Sequence, residues 1–240
     1  MSNLIGRVHS FETFGAVDGP GIRFVIFMQG CSLQCKYCQN RDTWEINAGN
    51  QYSAEELLNK ILKYKNYFLA SGGGVTVSGG EPLLQYKFLI ELFTLLKKEN
   101  IHTAIDTSGN VDLTDDMKKL IDLTDLFLLD IKCINDEICK KLTGVSNKKE
   151  LAFAKYLSSI NKPTWIRQVI VPTITDRTED LLALKDFLST LTNVEKIELL
   201  PYHDLGKSKW IKLGLKYELE NIRVANNNDI EYAKRILGNS

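Results

Sequence analysis

Short apolar runs alternate along the chain with longer stretches in which apolar residues return every third or fourth position. Six runs rich in apolar and β-branched residues read as strands: 22–29 (IRFVIFMQ), 74–78 (GVTVS), 101–107 (IHTAIDT), 126–131 (LFLLDI), 164–171 (TWIRQVIV) and 195–200 (EKIELL). Helical patterns lie between them. The first opens at Ser53 with Glu56 three residues on, a capping-box pairing, and carries Leu57, Ile61, Tyr64 and Phe68 at helical spacing. A second places Phe88, Leu89, Leu92, Phe93 and Leu96 on one stripe, and further helices are predicted over 114–122, 147–160 and 177–190. Beyond Leu213 the chain is too polar and irregular for an element to be assigned.

Alternating strand and helix predicts an α/β fold with a parallel sheet and crossover helices. An open Rossmann-type sheet and a barrel both satisfy that pattern, and the polar residues favour the barrel. They gather where strands end: Ser78 to Glu81, Asp106 and Thr107, Asp130 and Lys132, with His203 just past the last strand. Several strands feeding one mouth from their C-terminal ends is the barrel arrangement, and six strands rather than eight predict a partial (β/α)6 TIM-like barrel. No repeat, low-complexity tract or linker interrupts the chain, so a single domain over 1–240 is expected.

Composition narrows the class of partner. Thirty basic residues balance thirty acidic ones, so the chain lacks the cationic field that non-specific nucleic-acid binding uses. No stretch approaches the roughly 20 apolar residues of a membrane span, and the opening MSNLIGRVHSFETFG has no apolar signal core. Neither nucleic acid nor membrane is expected as a partner, and the expected location is cytoplasmic.

Five cysteines, three of them at Cys31, Cys35 and Cys38, point to metal rather than to a disulfide framework. In GCSLQCKYCQN (30–40) the thiols form a C-x3-C-x2-C pattern directly after the first strand. Three thiolates can hold three irons of a 4Fe-4S cubane and leave the fourth iron open, whereas ordinary clusters use four cysteines. A zinc knot completed by a histidine, or thiols that are simply buried, is the competing interpretation. Structural zinc sites favour a second cysteine pair; none exists here, and His9, His102 and His203 are scattered. Cys133 and Cys139, the latter in a helical stretch, read as small buried hydrophobes.

The SGGEP segment at 78–82 could be a turn; equally, its glycines would let a backbone approach a ligand and its carboxylate could accept from an ammonium group. Asp130 and Lys132, two apart on a strand, share a face and form a polar constellation with Asp106 and Thr107. A solvated strand-end ion pair explains them as well.

The cysteine loop resembles the signature of the radical S-adenosylmethionine superfamily, with Tyr37 as the aromatic residue before the third cysteine. The resemblance implies a 4Fe-4S cluster on Cys31, Cys35 and Cys38 whose open iron is chelated by the methionine part of S-adenosylmethionine. An electron from the cluster then breaks a carbon-sulfur bond, releasing methionine and a 5'-deoxyadenosyl radical. It assigns Gly79, Gly80 and Glu81 to the cofactor's amino group and His203 to its ribose, and it adds Tyr37, Gln39, Asn40, Thr107, Asp130, Ile131 and Arg167 as cofactor contacts. Lys132 joins both the cofactor contacts and the catalytic set, and Asp106, Thr107 and Asp130 are implied holders of a monovalent cation.

A narrower likeness runs over nearly the whole chain. GRVHSFETFGAVDGPGIRFVIFMQGC, CQNRDTW, ASGGGVTVSGGEPLLQ, TDLFLLDIK, GVSN, WIRQVIVP and NVEKIELLPYHDLGKSKW look like pyruvate formate-lyase activating enzymes, a branch of the glycyl radical enzyme activases. That likeness implies abstraction of a hydrogen from one glycine of pyruvate formate-lyase, a flavodoxin or ferredoxin electron donor, and a monomer. It also implies that Asp18, in the DGPG turn at 18–21, helps receive the partner's glycine loop, although Gly-Pro chemistry alone explains a tight turn there. Several other activases carry a cysteine-rich insert between the cluster loop and GGE; residues 41–73 contain no cysteine, which favours the pyruvate formate-lyase branch. On the residues alone, an activase of another glycyl radical enzyme, a radical enzyme acting on a small molecule, a non-catalytic electron carrier and a zinc-stabilised interaction module stay open.

Overall fold

The structure, a computed structural model, describes residues 4–238. Its strands are β1 (Gly6–Gly15), β2 (Arg23–Met28), β3 (Asn50–Tyr52), β4 (Gly74–Gly79), β5 (His102–Thr107), β6 (Leu126–Asp130), β7 (Thr164–Ile170) and β8 (Val194–Pro201). Its helices are α1 (Ala54–Ile61), α2 (Lys65–Ser71), α3 (Tyr86–Lys98), α4 (Asp115–Leu123), α5 (Asp136–Thr143), α6 (Lys148–Ser159), α7 (Thr178–Ser189), α8 (Lys207–Lys212) and α9 (Asn227–Leu237). All six apolar runs are strands, β2 and β4 to β8, and the α/β alternation of the expected partial barrel is present. Among the described residues no helix is long and apolar enough to cross a membrane.

The described chain forms two compact units: residues 4–32, 43–107 and 111–128, and residues 33–42, 108–110 and 129–238. In the first, strands run in the order β3-β1-β2-β4-β5, followed by the start of β6. The pairs β2–β4 and β4–β5 are parallel, while β1 is antiparallel to both β2 and β3. Strand β1 escapes the hydrophobic pattern because register shifts between Val8 and Ser10 and between Glu12 and Gly15 break the two-residue period. Its apolar residues Val8, Phe11 and Phe14 consequently fall three apart.

The capping box at Ser53 forms, with the Ser53 amide donating to Glu56 Oε2 at 2.8 Å and the Glu56 amide donating to Ser53 Oγ at 3.2 Å. The helix expected to run through Phe68 is interrupted: α1 ends at Ile61, a 3-10 turn spans Leu62–Tyr64, and α2 follows until Gly72 caps it at φ +69°. The break turns Tyr64 against Phe24, with ring centroids 5.4 Å apart. Leu57 and Ile61 of α1, the full stripe of α3, and Met117, Leu120 and Ile121 of α4 are buried.

The second unit holds the end of β6, then β7 and β8, which pair in parallel with Arg167 opposite Glu198. Ile170 of β7, Leu181 of α7 and Ala233 of α9 form a buried cluster against which Leu199, Ile230 and Ile236 pack. Helix α9 corrects the expectation of an unassignable carboxyl end. Asn226 and Asp229 form its capping box, and Arg223 grips Asp229 at 2.6 and 2.7 Å. Ile230, Ala233 and Leu237 are spaced for one helix face, but the polar residues between them dilute the signal.

A charge lies at the heart of the first unit. Arg23 is fully buried, and its guanidinium donates to the Val75 carbonyl, to Thr76 Oγ1 at 2.9 Å and to His102 Nδ1 at 3.1 Å. A guanidinium can only donate, so His102 Nδ1 must accept, and the imidazole is neutral with its proton on Nε2. Burial, then the Arg23 charge, lowers the His102 pKa from 6.5 to about 4; Lys97 acts in the same direction and Asp125 opposes them. Burial also lowers Arg23, to about 10, which leaves it protonated at neutral pH.

Between these two His102 values the unfolded chain binds a proton that the folded chain refuses, so stability is full above about 6.5 and is lost as pH falls toward about 4. Urea denaturation midpoints measured across that interval should fall with pH, and His102→Gln, which retains an acceptor without titrating, should flatten the slope.

Candidate active site

The polar residues of the first unit stand at the C-terminal ends of β4 and β5. Strand β4 ends at Gly79, whose φ of +106° suits glycine. The Gly80 amide donates to the Met28 carbonyl at 2.9 Å, and the Glu81 amide donates to the Gly30 carbonyl at 2.8 Å. A Cβ on Gly80 would sit 2.2 Å from the Gly30 oxygen, and one on Gly79 would sit 2.4 Å from the Met28 nitrogen. Both glycines are therefore required for backbone to meet backbone, a use that the sequence reading, which gave them to a ligand, did not anticipate. Gly30 in turn donates to the Thr43 carbonyl at 2.7 Å, fixing the point from which the cysteine loop departs.

Glu81 is buried, and its Oε1 accepts from the Leu83 amide at 3.1 Å and from Thr107 Oγ1 at 2.6 Å. The first bond caps the 3-10 turn Pro82–Gln85, and the second joins two predicted site residues. Asp106 accepts from Ser78 Oγ at 2.8 Å. Asp18 sits elsewhere, half-buried on the turn between β1 and β2.

Residues 33–42 of the cysteine loop belong to the second unit, whereas Cys31 belongs to the first. The amides of Gln34 and Lys36 donate to the carbonyls of Thr143 and Leu142 at 2.7 and 2.9 Å, which hooks the loop onto the end of α5. All three loop thiols are free of disulfides; Cys35 is buried, and Cys31 and Cys38 are partly exposed. Burial pushes the other two thiols, Cys133 and Cys139, up to about 12 and about 11, so they stay protonated at neutral pH, as buried hydrophobes would.

Strand β6 ends at Asp130, so Lys132 lies past the strand on which it was expected, yet its Nζ still donates to Asp130 Oδ2 at 2.6 Å. Burial would lower its pKa, but the charge of Asp130 and the hydrogen bond to it outweigh that and hold it well above its usual value. Lys132 is accordingly a fixed cation. Tyr37 is buried, which raises its pKa well above 10.0 against the opposing charge of Lys132, and its hydroxyl has no hydrogen-bond partner among the described residues.

Two carboxylates escaped the sequence reading. Glu150 of α6 is buried and accepts from the Lys132 amide at 2.9 Å. Its signal was positional: Glu150, Phe153, Ala154 and Leu157 make an apolar stripe in which one position carries a charge. Glu198 of β8 accepts from Arg167 Nε at 2.8 Å and from Lys196 Nζ at 2.6 Å. Burial works against its charge, yet these two cations keep its pKa below the ordinary value. Arg167 also accepts, through its carbonyl, the Ile131 amide at 2.8 Å.

Gln39 and His203, far apart in sequence, share a hydrogen bond of 2.5 Å between the side-chain amide and Nε2. Asn40 follows, half-buried. The segment after His203 grips the same stretch of loop: Trp210 Nε1 donates to the Cys38 carbonyl at 3.0 Å, and Lys209 pairs with Asp42 at 3.0 Å. Arg41 stacks over the Trp210 ring at 5.4 Å. A Cβ on Gly206 would come within 2.8 Å of Gln39 Cα and 2.9 Å of the Cys38 oxygen.

Residues 25–184 match the family described as the Radical SAM superfamily. The chain is 49% identical to the pyruvate formate-lyase-activating enzyme of Listeria monocytogenes, over 100% of this chain and 99% of that one. It is 48% identical to the pyruvate formate-lyase 1-activating enzyme of Escherichia coli K12, covering 98% and 96% of the two chains. Among solved structures, Streptococcus suis SuiB bound to precursor peptide SuiA superposes with a TM-score of 0.67 at 19% identity, over 89% of this chain and 45% of that one, a likeness of fold. The chain thus belongs to the radical SAM superfamily and, within it, to the family of pyruvate formate-lyase-activating enzymes.

Proposed function

We propose that this chain activates pyruvate formate-lyase by installing a glycyl radical on it. Full-length identity of 49% to an enzyme of that name carries the reading, together with a three-thiol loop and a cysteine-free stretch over 41–73. The 4Fe-4S cluster and S-adenosylmethionine that the family implies supply, when bound, the electron and the carbon-centred radical that takes a hydrogen atom from the partner's glycine.

Cys31, Cys35 and Cys38 are the thiolates for three irons. The donor chemistry fits: Cys133 and Cys139 are held as buried thiols, which leaves three cysteines for the cluster. Among the described residues no group of three or more metal-ligating side chains already stands at metal-holding spacing, so support comes from the loop's sequence and the family.

Glu81, pinned by Thr107 and Leu83, offers a fixed carboxylate to the cofactor's ammonium group, with Gly79 and Gly80 bringing backbone close to it. Lys132 and Asp130 present a permanent ion pair to its charged end. Tyr37, Gln39, Asn40, Ile131, Arg167 and His203 would complete the contacts, His203, bonded to Gln39, being offered to the ribose. Asp106, Thr107 and Asp130 would hold a monovalent cation, and Asp18 would receive the glycine loop. A flavodoxin or ferredoxin donor, a monomeric state, a cytoplasmic location and one working domain over 1–240 complete the reading.

Anaerobically reconstituted and reduced protein, mixed with S-adenosylmethionine and pyruvate formate-lyase, should generate a glycyl radical signal by electron spin resonance. Cofactor cleavage with no signal on that partner would redirect the reading to another glycyl radical enzyme or a small substrate. The grip of residues 203–210 on the loop is separately testable. Gly206→Ala forces a methyl into the backbone of Cys38 and Gln39, an overpacking cost of about 1–3 kcal/mol. Iron bound per chain should fall after reconstitution while the far-ultraviolet circular dichroism stays that of the parent.

A further inference from the structure

A buried side chain ties the DGPG turn to the interior. Thr76, in the middle of β4, is fully buried, and its hydroxyl donates to the Asp18 carbonyl at 2.6 Å. The same hydroxyl oxygen accepts from Arg23 Nε at 2.9 Å. Hydroxyl rotors are ordinarily ambiguous, but here the direction is forced. A guanidinium has only donors and a carbonyl only lone pairs, so the threonine proton is committed to Asp18.

Arg23 is itself immobilised, by the Val75 carbonyl and by His102 Nδ1. The turn lies directly over it: a Cβ at Gly19, where φ is +121°, would stand 3.5 Å from Arg23 Nε. Thr76 is flanked by Val75 and Val77, and valine has the same shape, so a buried strand position alone would be served by a third valine. The hydroxyl must therefore find its purpose in its two partners. A buried bond from a charged donor is strong, and chains of such bonds reinforce one another.

We infer that Thr76, oriented by the buried Arg23, is a positioning residue that fixes the DGPG turn in the shape that receives the partner's glycine loop. The inference rests on the proposed role of Asp18, and it adds the element that holds Asp18 in place. The turn is presented rigidly, so the partner's loop meets a preformed surface and association does not have to order it.

Thr76→Val keeps the volume and deletes both bonds, and Thr76→Ser keeps both. In the full-length protein, hydrogen exchange at the amides of Asp18, Gly19, Gly21 and Ile22 should speed up in Thr76→Val by roughly tenfold, the scale of one buried hydrogen bond, and stay near the parent rate in Thr76→Ser. The concentration of pyruvate formate-lyase giving half-maximal radical formation should rise about tenfold in Thr76→Val, with the maximal rate little changed and Thr76→Ser restoring the parent value.

Unchanged exchange at the turn in Thr76→Val overturns the inference. So does a fall in maximal rate with the half-saturating partner concentration unaltered, which is what general loosening of the unit would produce. If turn exchange quickens while Asp18→Ala leaves partner saturation untouched, the turn is positioned by Thr76 as stated and the receiving role of Asp18 is what fails.

Discussion

Two backbone hydrogen bonds, from Gly80 to the Met28 carbonyl and from Glu81 to the Gly30 carbonyl, set the geometry on which the first unit's chemistry depends. They require the exits of β2 and β4 to run so close that no side chain fits between them. The oxygen that a Gly80 methyl would strike, that of Gly30, belongs to the residue before Cys31. One constraint thus fixes both where the cysteine loop starts and where the Glu81 carboxylate stands. Thr107 then holds that carboxylate from the neighbouring strand end.

Charge is handled in two different ways. Lys132 and Asp130 are mostly buried, with side chains 14% and 18% exposed, and compensate one another directly. Breaking either would strand the other in a poorly solvated place, a cost of about 3–5 kcal/mol. Arg23 is held by a carbonyl, a hydroxyl and a neutral imidazole, with the negative charges of Asp125 and Asp18 adding to them. The first arrangement keeps a cation available at a strand end. The second makes a cation into a framework element from which a surface turn is hung.

Much of this was legible beforehand, and the exceptions share a cause. The parallel strands announced themselves because both faces are buried, so they read as continuous apolar runs. The cysteine loop and the GGE segment were visible because motif spacing depends only on local sequence, and Asp130 because it ends an apolar strand. Strand β1 was hidden by its bulges, and the break between α1 and α2 by aromatic packing onto Phe14 and Phe24. Glu150, Glu198 and the Gln39–His203 bond were hidden because their partners lie 18, 31 and 164 residues away. Arg23 and Thr76 looked like ordinary members of strands, and only their contacts reveal that a cation and a hydroxyl were placed where apolar side chains would have packed.

A cluster held by three thiolates must leave one iron chemically distinct, and that iron alone should respond to S-adenosylmethionine. Mössbauer spectra of iron-57-reconstituted protein, recorded with and without the cofactor, decide the matter. One iron subsite is expected to shift on adding S-adenosylmethionine while the others keep their sulfur-ligated parameters. Four subsites indifferent to the cofactor, or protein that takes up zinc in place of iron, would contradict it.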